Sequence, residues 1–296
     1  MIRCRSSRLR RPIDRSTSHV SIYKSLKAVV THLRDRRCSL MRFFAACLNQ
    51  EVLMLKALIF DVDGTLADTE AVHLEAFNHA FPQVGLDWHW SHADYARLLE
   101  ISGGKERLRH FWHITHPDMT DLGGGALDDT LNRLHEIKTA YYENAVNEGR
   151  VHLRHGVLAL INAAHAEGLQ LAIATTTSPV NVSALLRKAI GDDWRHMFVA
   201  VGDGSSSPVK KPNPQVYLQV LGDMAVPAAQ CLAFEDSPNG LRAAMAAGLQ
   251  TVITPTEFSV EPNYEGALRV LPDLSAVTVA QLREWLYEAG PLPGAQ

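Results

Sequence analysis

From Leu55 onward the sequence alternates two kinds of segment, and that alternation restricts the fold more than any other feature. "LKALIFD", "LQLAIAT", "MFVAVG", "CLAFED" and "QTVIT" are short apolar runs, each closed by Asp, Thr, Gly or another turn-former. Runs of this kind suit strands covered on both faces, as in a parallel sheet. Amphipathic stretches lie between them. Val157, Leu160, Ile161 and Ala164 fall at i, i+3, i+4, i+7, as do Leu241, Ala244, Met245 and Gly248, and again Leu282, Trp285, Leu286 and Ala289. Such repetition specifies an α/β fold, a doubly wound, Rossmann-like parallel sheet. Ligands of these sheets bind beyond the carboxyl ends of the strands.

One interval breaks the alternation. About a hundred residues separate the first apolar run from "LQLAIAT", far more than a crossover requires. They read as helices, with Leu74, Phe77 and Phe81 on one face and Leu134, Ile137 and Tyr141 on another, and with the Gly-rich "DLGGGALDD" between helical pieces. The expected organisation is a helical cap of residues 69–147 inserted into a core of residues 54–68 and 148–296. Residues 1–53 stand apart: they are rich in Arg and Ser, poor in acids, and hold Cys4, Cys38 and Cys47. An over-extended start is favoured, because Met54 opens "MLKALIFDVDG" where the globular pattern begins. The alternative is an organelle transit peptide. The expected location is cytoplasmic, or plastid on that alternative. Charge alone would allow a nucleic-acid-binding arm, but no aromatic interleaving supports one.

Composition narrows the partners. A chain of 296 residues that is 46% hydrophobic and 21% charged, with a formal charge of −3, offers no argument for a nucleic-acid or lipid partner. No stretch approaches the roughly 20 apolar residues of a membrane span. The four cysteines lack metal-ligand spacing and read as reduced thiols. A monomer acting on a small molecule is the expectation.

The first apolar run leads straight into Asp61, Val62, Asp63, Gly64 and Thr65. Two carboxylates two residues apart repel each other unless something positive lies between them. In a parallel sheet the strand ends converge, which would bring Thr175 and the pair Glu235–Asp236 to the same edge. "VKKPNPQVY" adds Lys210 and Lys211, before a proline expected to fix a helix start. Four carboxylates, a hydroxyl and an ammonium make a site for a hard cation and a phosphate, with Mg²⁺ as the cofactor. Asp61, Asp63, Glu235 and Asp236 are the candidate metal ligands.

Asp61 can attack phosphorus in line and form an aspartyl-phosphate. Asp63 can protonate the leaving oxygen and then activate the water that clears the intermediate. Gly64 lets the chain turn tightly. Thr175 and Lys211 would hold the non-bridging oxygens, with Thr176 in the same phosphate-binding set. Lys211 is preferred to Lys210 because it directly precedes Pro212. Asp236 could also cap the helix of "SPNGLRAAMAAG".

"FDVDGTLADTE", "ATTTS", "KKPNP" and "FEDSPNGLRAAMAAG" resemble, in order, the four motifs of the haloacid-dehalogenase-like hydrolases with a helical cap. "DWHWSHADYARLLEISGGKERLRHF" is similar to the cap of the CbbY-type phosphatases, associated with the Calvin cycle. That resemblance implies an Mg-dependent phosphatase acting on xylulose-1,5-bisphosphate, an inhibitory by-product of Rubisco. It implies substrate contacts from the intact run Gly103, Gly104, Lys105, Glu106 and Arg107, from Glu70, and from His135 and Lys138 of "LHEIKT". Ser178 and Asn181 would contact the distal part of the sugar, beside Thr176 and Thr177. A glycine pair beside two cations suits the second phosphate of a bisphosphate. On spacing alone, His135 and Lys138 equally suit an exposed polar face off the Leu134–Ile137–Tyr141 stripe. His73 matches in spacing a cap-facing histidine of the related sugar-phosphate mutases, although a lone histidine on an amphipathic helix is more often packing or surface. A β-phosphoglucomutase-type mutase and a phosphoglycolate phosphatase are the alternatives.

Two departures from the family pattern stand out. His155 in "LRHGV" occupies a position usually held by proline, and "GDGSSSPVKKP" is Ser-rich before the lysines.

Overall fold

The apolar runs form strands β1 (Ala57–Phe60), β2 (Gln170–Ala174), β3 (Ala200–Gly202), β4 (Cys231–Glu235) and β5 (Gln250–Ile253), joined by a short β6 (Arg269–Val270). In this computed structural model, which describes residues 54–116, 124–259 and 262–292, they make one sheet of order β3-β2-β1-β4-β5-β6. Every pairing is parallel. β1 and β4 are buried at every residue, as continuous apolar runs require. β6 escaped the sequence reading because it is two residues long and lies at the sheet edge with Val270 exposed. Residues 1–53 lie outside the described residues.

The chain order reverses direction at β1, which has β2 on one side and β4 on the other. That is the topological switch point where doubly wound sheets place ligands. The register makes this concrete. Phe60 pairs with Ile173 and with Phe234, so one further residue sets Asp61 level with Ala174 and Glu235. Three chain segments therefore deliver their functional groups to one point.

Between β1 and β2 the chain carries helices α1 (Glu70–Ala80), α2 (His92–Leu98), α3 (Gly104–Thr115) and α4 (Gly124–Asn147), followed by α5 (Val157–Ala166), which leads back into the sheet. "DLGGGALDD" lies partly outside the described residues, and from Gly124 it is helix. The helical insertion has its own aromatic core of Phe77, Phe81, Trp90, Tyr95 and Trp112, joined by Phe258 from the loop after β5. Full burial of each such side chain contributes roughly 1.5–3 kcal/mol. On α5 the predicted stripe of Val157, Leu160, Ile161 and Ala164 is buried throughout.

On α4 the buried face differs from the predicted one. It runs through Leu131, Leu134, Lys138 and Tyr142, whereas Ile137 and Tyr141 are half-buried. A lysine thus occupies the middle of the inner face.

Helices α6 (Pro179–Ile190), α7 (Gln215–Met224), α8 (Pro238–Ala246) and α9 (Val279–Ala289) complete the layers over the sheet. Two local expectations are corrected, and one departure from the family pattern is explained. α7 begins at Gln215 after Pro214, not at Pro212. The N-cap of α8 is Ser237, whose hydroxyl accepts from Gly240 N, so Asp236 is left free of that duty. The start of α5 is set by Gly156 at φ +83, with no need for the proline that His155 replaces; a Cβ at Gly156 would lie 2.1 Å from the Leu274 carbonyl carbon. Among the described residues no helix is long and apolar enough to cross a membrane.

Candidate active site

A cavity of about 500 Å³ opens at the carboxyl edge of the sheet, between the core and the helical insertion. That is within the range of small-molecule sites. Asp61 lies at its floor, 6% exposed, and Lys211 Nζ donates to Asp61 Oδ1 at 2.6 Å, to Glu235 Oε1 at 2.5 Å and to the Ala174 carbonyl at 2.8 Å. This ammonium is the positive group between Asp61 and Glu235, rather than between Asp61 and Asp63. Burial works against its charge, but Asp61 and Glu235 outweigh burial and raise the Lys211 pKa, so it stays protonated. Lys210 donates instead to the carbonyls of Gly204 and Ser207, which settles the choice between the two lysines as to which reaches Asp61.

Asp61, Glu235 and Asp236 bring carboxylate oxygens within 4.8 Å of one another. Burial, with Glu235 and Asp63 nearby and Lys211 offsetting part of the effect, pushes Asp61 up to about 8; burial, with Asp61, Glu235 and Glu70 nearby, raises Asp236 well above the usual range. Such a cluster fits a divalent cation, which would favour the ionised forms. Two details of the packing agree. Tyr217 and Lys211 both donate to Glu235 Oε1, leaving the buried Oε2 without a partner. Glycines also clear the space beside two of these carboxylates: a Cβ at Gly240 would sit 1.8 Å from Glu235 Oε2, and one at Gly64 (φ +77) 2.2 Å from Asp236 Oδ2. Asp63, grouped with the metal ligands from sequence, turns its carboxylate elsewhere.

The Asp63 carboxylate faces the insertion. Its Oδ1 accepts from the Thr69 hydroxyl at 2.8 Å and lies 3.0 Å from His73 Nε2. Thr69 is the N-cap of α1, yet its side chain makes no capping bond because the hydroxyl is committed to Asp63. Lys138 Nζ lies 2.7 Å from His73 Nδ1. An ammonium can only donate, so Nδ1 is the acceptor and the imidazole proton sits on Nε2, aimed at Asp63. Tyr142 stacks on the imidazole at 4.3 Å, and Lys138 also lies over the rings of Phe77 and Tyr142. Burial tends to raise the Asp63 carboxyl, but His73, Lys138 and Thr69 outweigh it and hold it below the usual range. Burial brings Lys138 down to about 8.

The phosphate-binding candidates lie where the strands end. Thr175 and Thr176 follow β2 and line the cavity, as do Ser178 and Asn181 at the start of α6. Ser178 caps α6 by accepting from Asn181 N, and the N-termini of α6 and α8 both open on the cavity, a favourable environment for anions. Asn181 donates to Thr177 and keeps a buried, unpartnered Oδ1.

The insertion supplies the opposite wall. Glu70, Gly103, Gly104, Arg107, His135 and Lys138 line the cavity. Glu70 accepts from the Tyr95 hydroxyl at 2.7 Å. Arg107 is buried; it donates to the Leu98 and Ile101 carbonyls and to Tyr95. Lys105 and Glu106 depart from the sequence expectation and lie off the cavity wall. Lys105 is exposed and donates to Asn132, because Lys105 and Glu106 both fall on the outer face of the first turn of α3. Sequence reasoning matched His73 in spacing to a cap-facing histidine but weighed it as more often packing or surface, and it missed Thr69, Tyr217 and Asn239, whose amide donates to Glu100 O and Ser102 Oγ of the insertion. The spacing from Asp63 to Thr69 and His73, one buried helix turn apart, is the signal that could have found two of them.

A doubly wound sheet with a buried aspartate at its switch point, an ammonium and an acid cluster beside it, and a second aspartate facing a helical insertion fits a phosphatase. The chain belongs to the haloacid dehalogenase-like hydrolases, whose family pattern it matches over residues 55–248, and within them to the CbbY-type phosphatases. It is 53% identical to protein CbbY of Cupriavidus necator over 220 residues, 74% of this chain and 86% of that protein. It is 46% identical to protein CbbY of Rhodobacter capsulatus over 230 residues, 78% of this chain and 98% of that one. Among solved structures it is similar to a variant of CbbY from Rhodobacter sphaeroides in complex with xylulose-1,5-bisphosphate, with 38% identity and a TM-score of 0.70 over 77% of this chain and 99% of the other.

Proposed function

We propose that this phosphatase hydrolyses a sugar bisphosphate with the help of Mg²⁺, converting xylulose-1,5-bisphosphate to xylulose-5-phosphate. The observation that carries the reading is a single cavity with Asp61 and Lys211 at its floor and Arg107, His135 and Lys138 on the wall formed by the insertion. A ligand with phosphates at both ends would meet Lys211 at one end and Arg107 and Lys138 at the other. Burial and the nearby Lys138 bring His135 down to about 3, so its neutral imidazole offers a hydrogen bond rather than a charge. The complex of the Rhodobacter sphaeroides relative with xylulose-1,5-bisphosphate supports the choice of sugar.

In the first step an Asp61 oxygen attacks phosphorus, the P–O bond to the sugar breaks, and the leaving oxygen takes a proton from Asp63. At rest, Asp63 is held as a carboxylate. A phosphate dianion arriving beside it raises its proton affinity, so the acid form is gained as substrate binds. Lys211, Thr175 and Thr176 hold the non-bridging oxygens. In the second step Asp63 takes a proton from water, which attacks the aspartyl-phosphate and releases inorganic phosphate, returning Asp61. Mg²⁺ held by Asp61, Glu235 and Asp236 would neutralise the charge of the transferring group. The helical insertion acts as a cap that excludes bulk water while the intermediate exists.

Replacing Asp61 by Asn tests the mechanism. Phosphate release should vanish while calorimetric affinity for the bisphosphate stays within a few-fold of the parent, and retained turnover would overturn the nucleophile assignment.

A further inference from the structure

Arg154 lies in the segment that returns the chain from the helical insertion to α5, away from the cavity lining. Its side chain is 9% exposed, and all three nitrogens are engaged. Nη1 donates to the Gly64 carbonyl, to the Thr254 carbonyl at 2.6 Å and to Thr254 Oγ1 at 3.0 Å. Nη2 donates to the carbonyls of Pro255 at 2.8 Å and Pro272 at 3.3 Å, and Nε pairs with Asp68 at 3.2 Å. A planar guanidinium can serve this many acceptors at fixed angles, which the point charge of a lysine cannot.

The carbonyls it joins belong to two segments with a common neighbour. Gly64 directly follows Asp63 and opens the turn after β1. Thr254 and Pro255 leave β5 and lead to Thr256. A Cβ built on Gly64 would lie 2.2 Å from Asp236 Oδ2 and 3.2 Å from Thr256 Cγ2, so Gly64, Thr256 and the Asp236 carboxylate meet at one point. We propose that Arg154 is a positioning residue for Asp236: by tying Gly64 to Thr254 and Pro255 it fixes the slot in which that carboxylate sits, and so sets the affinity for the divalent cation. The inference rests on the Mg²⁺ reading above and adds a residue that touches neither metal nor substrate.

Mg²⁺ titration of the full chain by calorimetry, without substrate, tests it. The wild type should bind saturably. Arg154→Lys should bind about 10–100-fold more weakly, as loss of an outer-shell partner does, while its circular dichroism matches the parent. Asp68→Asn, which removes only the exposed partner of Nε, should leave the affinity unchanged. A folded Arg154→Lys protein with wild-type Mg²⁺ affinity overturns the inference and leaves the metal reading intact. A wild type that binds no Mg²⁺ overturns the metal reading itself, and the inference with it. If Arg154→Lys does not fold, Thr256→Ala decides, since it loosens the other side of the same slot: weakened Mg²⁺ binding supports the inference and unchanged binding overturns it.

Discussion

Nε2 of His73, on the first helix of the insertion, lies 3.0 Å from Oδ1 of Asp63, on the turn that ends the first strand of the core. Asp63, the group proposed above as acid and base, is therefore held by a residue of the insertion, and Lys138 fixes the imidazole from its other side at 2.7 Å. Chemistry and cap are joined through one ring.

The first prediction follows from that ring. His73→Ala should lower kcat by about 100-fold or more, within the range assigned to positioned acid–base groups, with a smaller change in KM. Steady-state phosphate release measures both. A fall in kcat of less than about threefold would place Asp63 outside the control of His73.

Lys138 gives a pH dependence with a definite sign. Burial lowers its pKa to about 8, so above that pH the ammonium loses its proton and ceases to donate to His73. The rate should fall on the alkaline side with an apparent pKa near 8, and Lys138→Met should be slow and flat over the same range. Stability moves the other way. Between about 8 and the ordinary 10.5 the folded protein holds less of this proton than the unfolded chain, so Lys138 makes stability rise with pH through that window. Melting temperatures across it should rise less in Lys138→Met.

Lys211 is the counter-charge of two buried carboxylates. Lys211→Met leaves Asp61 and Glu235 facing each other, and breaking a buried pair in this way costs about 3–5 kcal/mol. Denaturant unfolding in EDTA should show that loss, and added Mg²⁺ should recover part of it by supplying a replacement cation that binds only the folded state. A variant as stable as the wild type in EDTA would contradict the account of the acid cluster.

Much of the core was legible in the sequence because strand ends in a parallel sheet converge by geometry. Five apolar runs became β1 to β5, and Asp61, Thr175, Lys211, Glu235 and Asp236 meet as that topology requires. The insertion was read less well, for two reasons. Helical periodicity cannot distinguish a buried lysine from a solvated one: Lys138 lies on the inner face of its helix because His73 and two aromatic rings receive it. Nor does a motif carry orientation. "GGKER" is contiguous, yet its glycines and Arg107 face the cavity while Lys105 turns to Asn132. Arg154 was invisible because its partners are mostly carbonyls, which any residue can supply.

The central claim is that a bisphosphate spans the cavity from Asp61 to the insertion. Its most direct test is phosphate release with Mg²⁺ from xylulose-1,5-bisphosphate, ribulose-1,5-bisphosphate, 2-phosphoglycolate and β-glucose-1-phosphate. The account predicts a kcat/KM for xylulose-1,5-bisphosphate at least about tenfold above the two monophosphates, with one phosphate released per sugar, since a site built for a charged group rejects analogues that lack it. Equal and feeble rates on all four would contradict it.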